Sequence, residues 1–193
     1  MELPGGVPEQ SEDLQAPNGP LNRFFSGDRR PNAGPCPLMG VLYESSRVVT
    51  FAPGADQQRY SSIDHTGEMQ GVRGLCRYVD ADPITMNLAI DMAFGRGPAA
   101  TSDRQTYRYW VAVARRGRLP IEKQYFDVEV RFPRGEDVVT RTEEIDRIVI
   151  PRANSDVSGE NFEILVGFEL TPEQLQFNRE GRRFRIDSAG NQR

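Results

Sequence analysis

The single histidine, His65, follows Asp64 and lies close to Ser61 and Ser62, so a serine–histidine–aspartate set can be written from neighbouring residues. The spacing works against it. Adjacent residues of an extended chain point to opposite sides, and no Gly-x-Ser-x-Gly elbow strains a serine into reach. His65 is therefore read as a solvated loop residue. Asp80, Asp82, Glu122, Asp127 and Glu129 offer carboxylates for acid–base chemistry, but nothing in their spacing selects a pair. Asp80-Ala81-Asp82 before Pro83 would bind calcium only with further converging oxygens, and its composition is that of a turn in which Asp caps its own backbone. Gly95-Arg96-Gly97-Pro98 lacks the Lys-Ser/Thr pair and the following helix of a phosphate loop. No catalytic residue, cofactor or metal is assigned.

Two kinds of residue remain. Cys36 and Cys76 are the only cysteines and belong to no CxxC or Cys/His cluster at zinc spacing. In an exported domain a Cys36–Cys76 disulfide would pin the start of the first strand to the second; in a reducing compartment the same residues would be two separate buried thiols. Trp110 is the only tryptophan. Strand alternation places it opposite Tyr109 and Val111, where it either packs under a loop or the terminal helix or stands as an exposed anchor for a partner. Phe24-Phe25, preceded by Leu21, is a second place where the chain could dock on a surface.

The chain has 193 residues, 37% hydrophobic and 27% charged, enough for one domain with a real core plus a tail. A net charge of -4 argues against a dedicated nucleic-acid binder. Lys123 is the one lysine among 24 basic residues, and both charge signs are interspersed, so the arginine bias reads as genome composition rather than phosphate recognition. No apolar run is long enough to span a membrane, and the mean hydropathy is -0.58.

Residues 1–35 are rich in Pro, Gly, Asn and acids without apolar period, the composition of a disordered or partner-ordered tail. From there to 186 the pattern is that of an all-β, immunoglobulin-like sandwich of two sheets and about seven antiparallel strands. The clearest strand, 84–94, sets Ile84, Met86, Leu88, Ile90, Met92 and Phe94 on one face. The same alternation groups Val72 to Tyr78, Tyr107 to Val113, Phe126 to Phe132 and Phe162 to Leu170. Residues 38–51 supply a first strand, in one piece or two, and 138–150 a polar edge strand. The segments 115–118 and 133–137 read as hairpin loops, and the longer 95–104 as a crossing between sheets. Thr171-Pro172-Glu173-Gln174 starts a short helix over about 172–179 with a capping box. Residues 187–193 should fray.

The stretch FEILVGFELTPEQLQFNR at 162–179 resembles the C-terminal signature of a proteobacterial family of small cell-envelope lipoproteins of unassigned activity. Cys36-Pro37, Phe51-Ala-Pro-Gly54, Gly74-Leu-Cys-Arg-Tyr78, Arg96-Gly-Pro-Ala99 and Tyr109-Trp-Val-Ala-Val113 are similar to the same family in the same order. The resemblance covers roughly 36–179. It implies a secreted, membrane-tethered sandwich of the periplasm or cell envelope, and it supports the disulfide. The segment before Cys36 shows no charged and apolar leader, and Gly34-Pro35-Cys36 is not expected to be lipidated. The function this implies is a non-enzymatic accessory or scaffold subunit of a larger envelope assembly, binding a protein partner through Phe24, Phe25 and Trp110. A small-ligand or glycan-binding module, with Trp110 and tyrosines as stacking platform, is the alternative; a sandwich-fold hydrolase using His65 comes third.

Overall fold

The computed structural model describes residues 30–55 and 59–181. Eight strands form two four-stranded sheets, with one short helix at the C-terminal end of the described chain. Sheet A holds β1 (Leu38–Val41), β8 (Phe162–Phe168), β5 (Arg104–Arg115) and β6 (Pro120–Arg131), in that order. Sheet B holds β2 (Arg47–Phe51), β3 (Ile63–Arg77), β4 (Ile84–Arg96) and β7 (Val138–Ile150). The molecule is an all-β sandwich of two packed sheets. Every pairing is antiparallel except β1 beside β8.

The strongest alternation forms the centre of the core. Ile84, Met86, Leu88, Ile90, Met92 and Phe94 on β4 are all buried, facing Tyr107, Tyr109 and Val111 on β5, Val128 and Val130 on β6, and Phe162 to Phe168 on β8. Full burial of each aliphatic chain contributes roughly 2 kcal/mol. The 95–104 segment crosses between sheets, and β7 is an edge strand, both as the sequence predicts. Two details differ. The 38–51 stretch yields two strands that enter different sheets, so eight strands replace about seven. The 133–137 loop joins β6 of sheet A to β7 of sheet B and is a crossing, not a hairpin turn.

One end of the sandwich is tied by covalent and polar bonds. Cys36 and Cys76 form a disulfide with Cα atoms 5.7 Å apart, linking the approach to β1 with the end of β3. Asn32 accepts from the Tyr78 N–H and donates to the Cys76 carbonyl, so residues just before the bridge are held against the body. Tyr78 Oη donates to the Pro35 carbonyl and accepts from Gly159 N–H. The Arg152 guanidinium lies over the Tyr78 ring and donates to the carbonyls of Asp80, Asp82, Ser155 and Val157. The Asp80–Asp82 segment is thus a turn, with Asp80 at φ 47 and Asp82 N–H donating to the Val79 carbonyl.

The helix α1 (Pro172–Arg179) starts on the predicted capping box: Gln174 N–H donates to the Thr171 hydroxyl, and Thr171 N–H to the Gln174 side chain. It lies along the free edge of β2. Gln174 Nε2 donates to the Val49 carbonyl, and Asn178 Nδ2 donates to the carbonyls of Arg47 and Glu44. Side chains four apart on a helix rise about 6 Å, close to the spacing of alternate carbonyls on a strand, so one helix face caps the edge.

Tyr107 and Tyr109 point into the core, where burial first, and then Asp64 for Tyr107 and Glu143 for Tyr109, raises both phenols, Tyr109 to about 12. A phenol that ionises more easily unfolded than folded contributes stability that is complete below its unfolded value and is lost as pH rises towards the folded one. The expected unfolding free energy is level to about pH 10 and then falls by up to about 1.4 kcal/mol per unit for each tyrosine. Denaturant titrations at stepped pH measure this, and a flat profile across that range contradicts it.

Candidate protein-binding face

The outer faces of the two sheets differ in chemistry. On sheet B the side chains pointing away from the core include Thr66, Glu68, Arg73, Asp91, Thr140, Thr142 and Glu144. Arg73 pairs with Asp91, which also accepts from the Thr142 hydroxyl at 2.7 Å. This surface is polar along its middle, with Val138 exposed at one end and Leu75 and Val149 at the other.

Sheet A divides along its length, with the ion pairs Arg104–Glu129 and Arg108–Asp127 towards one end and apolar side chains towards the other. Its register places Leu38, Glu163 and Ala114 in one cross-strand row, Gly40, Leu165, Ala112 and Lys123 in the next, and Gly167, Trp110 and Tyr125 in a third. Ala112 and Ala114 are fully covered by their neighbours, which makes a low apolar floor. Around it stand Leu38 at 50% exposure, Ile121 at 59% and Tyr125 at 46%, with Leu42 and Tyr43 at the β1 side and Leu119 at the β5–β6 tip. Arg108 with Asp127 and Glu169 closes one end as a charged rim. Ala112, Ala114 and Trp110 are buried beneath their neighbours, so the exposed apolar area of this face is that of Leu38, Ile121 and Tyr125 with Leu42, Tyr43 and Leu119 beside it.

Trp110 belongs to this floor, but not as an exposed anchor: it is 6% exposed. Gly167 lets the ring lie flat, since a Cβ there would stand 2.6 Å from Trp110 Cζ2. Its Nε1 donates to the Phe168 carbonyl at 3.1 Å, and Lys123 Nζ covers the ring at 4.2 Å from the centroid. The same cover removes Trp110 as a stacking platform for sugars. Lys123 also lies 5.0 Å from the Tyr125 ring, so the one lysine is held in a cation–π pocket at the centre of the surface.

Phe24 and Phe25 lie outside the described residues. His65 is not a loop residue. It sits on β3 pointing inward, 1% exposed, with its ring 5.4 Å from that of Phe132. Asp64 Oδ2 comes within 3.1 Å of Nδ1, yet off the direction of a hydrogen bond, so neither ring nitrogen has an aligned partner. Substrate has no route to a ring enclosed in this way. Among the described residues no group of three or more His, Cys, Asp or Glu side chains could hold a metal. No described helix is long and apolar enough to cross a membrane.

The sequence indicated the outer position of Trp110 but not the face as a whole, which exists only once β1, β8, β5 and β6 are in register. Comparisons with protein-family models, with curated proteins and with solved structures found no match to this chain.

Proposed function

We propose that the chain is a non-enzymatic accessory subunit of a cell-envelope assembly, holding a protein partner on the outer face of sheet A. The observation that carries this reading is the cluster of exposed Leu38, Ile121 and Tyr125 on the outer face of sheet A, with Leu42, Tyr43 and Leu119 beside it. Two features support an envelope location in this reading: the Cys36–Cys76 disulfide suits an oxidising compartment, and the motifs at 36–179 resemble envelope lipoproteins. Phe24 and Phe25 supply a second contact in this reading.

A photo-crosslinking residue placed in turn at Tyr125, Leu38, Phe25 and Thr142 in the native host tests it. The expected result is a discrete adduct with a membrane-fraction protein from Tyr125 and Leu38, and none from Thr142 on sheet B. Equal labelling from both faces, or no adduct from sheet A, overturns it. Recovery of the chain with free thiols from native cells overturns the location.

A further inference from the structure

At the disulfide end of sheet B the outer face forms a pocket of about 430 Å³, bounded on one side by the turn that holds Asp82 and Pro83. Its floor is β4, where Thr85 and Asn87 face outward between the core residues Ile84, Met86 and Leu88. Each flanking strand brings a guanidinium. Arg77 on β3 stands opposite Thr85. On β7 a register shift sets both Asp146 and Arg147 against Asn87, and of these two Arg147 lines the pocket while Asp146 does not. Arg77 gives one N–H to Asn32 Oδ1 at 3.2 Å. Arg147 makes no ion pair or hydrogen bond with another described residue.

Two observations point to a ligand. Asn87 is 4% exposed, and its Oδ1 accepts from the Leu75 N–H at 3.0 Å, which fixes the amide orientation and leaves Nδ2 without an acceptor among the described residues. A buried donor in that state calls for a partner. Nδ2 is not sealed in the interior, for the sealed unpartnered side-chain atoms among the described residues belong to His65 and Ser158. The second observation is charge: the pocket is lined by two guanidiniums and one carboxylate, Asp82, a local surplus of positive charge in a chain whose net charge is -4.

We propose that this pocket binds the carboxylate of a small organic anion. Arg77 and Arg147 flank the carboxylate, Asn87 Nδ2 and the Thr85 hydroxyl donate to it from the floor, and Val79, Pro83 and Val149 meet the apolar part of the molecule. One carboxylate matches the local surplus of one positive charge, and Asp82 at the rim opposes a second anionic group. This does not depend on the proposed accessory function, which uses the other sheet.

Fluorine NMR of para-fluorobenzoate titrated with the full chain tests the proposal, with circular dichroism to confirm folding of each variant. A ligand of this size should bind with a dissociation constant on the order of 1 mM, and the neutral para-fluorobenzamide about tenfold more weakly or worse. Arg147→Ala should weaken binding of the benzoate by about tenfold or more, and so should Asn87→Asp, which keeps an acceptor for the Leu75 N–H and replaces the donor by a like charge. Arg147 is exposed, so its variant keeps the test valid if Asn87→Asp misfolds. Arg134→Ala, in the loop at the opposite end of sheet B, changes the net charge equally and should leave binding unchanged. No binding by the wild type, benzamide binding as well as benzoate, para-fluorophenyl phosphate binding more tightly than benzoate, or an equal loss in Arg134→Ala and Arg147→Ala each overturns the proposal.

Discussion

Reducing the Cys36–Cys76 bridge, or replacing both residues by alanine, should lower the unfolding free energy by about 4 kcal/mol. The two cysteines are 40 residues apart. Releasing a loop of that length returns substantial entropy to the unfolded chain, more than a short loop would. The loss is also structural, because β1 has four residues and pairs with one neighbour, β8. Without the covalent pin, the approach to β1 is held by polar contacts, among them the hydrogen bonds of Asn32, Ala33 and Tyr78 and the exposed Arg30–Asp80 pair. Typical domains have only about 5–15 kcal/mol of stability, so the effect is large. Urea unfolding with and without reductant measures it, and hydrogen exchange should show β1 amides losing protection first. A midpoint unchanged by reduction would mean that the bridge adds nothing beyond the packing of Met39 and Val41.

The parts of the fold that could be read in the sequence are those where a buried face carries large side chains at every second position. Residues 84–94 are the clear case, since β4 lies between two neighbours and is covered by sheet A. The start of β3 could not be read in this way. Its inward positions after Ile63 are His65 and Gly67, which look like loop residues beside Asp64, Thr66 and Glu68. The structure supplies the reason: a Cβ on Gly67 would stand 3.0 to 3.3 Å from Val48, Phe168 and Phe94, so the core there is filled from other strands. The 133–137 segment misled for a different reason. Five residues with a glycine at φ 87 suit a hairpin, but a loop of that length also bridges sheets packed about 10 Å apart. For the candidate face, alternation placed Trp110 outward, whereas its burial depends on Gly167 and Lys123 from neighbouring strands, a matter of register that no local pattern carries.

The capping box of α1 was visible in the sequence, but its consequence for the sheet was not, and this leads to the second large effect. The double variant Gln174→Ala/Asn178→Ala removes three side-chain bonds to the carbonyls of Glu44, Arg47 and Val49 and half of the capping box. At roughly 1 kcal/mol per bond, the expected loss is about 3–4 kcal/mol. Thr171→Ala removes the cap alone and should cost about 1 kcal/mol. The two variants should differ in kind as well as in size. Only the double variant uncovers the β2 edge, and an uncovered strand edge is a template for intermolecular pairing. Urea unfolding gives the free energies, and thioflavin fluorescence during prolonged incubation reports edge pairing. The double variant should aggregate with β-sheet character while Thr171→Ala stays dispersed. If both lose the same stability and neither aggregates, α1 acts through its own helical integrity and not as a cover for β2. If the prediction holds, Gln174 and Asn178 occupy their positions because the strand beside them would otherwise be open.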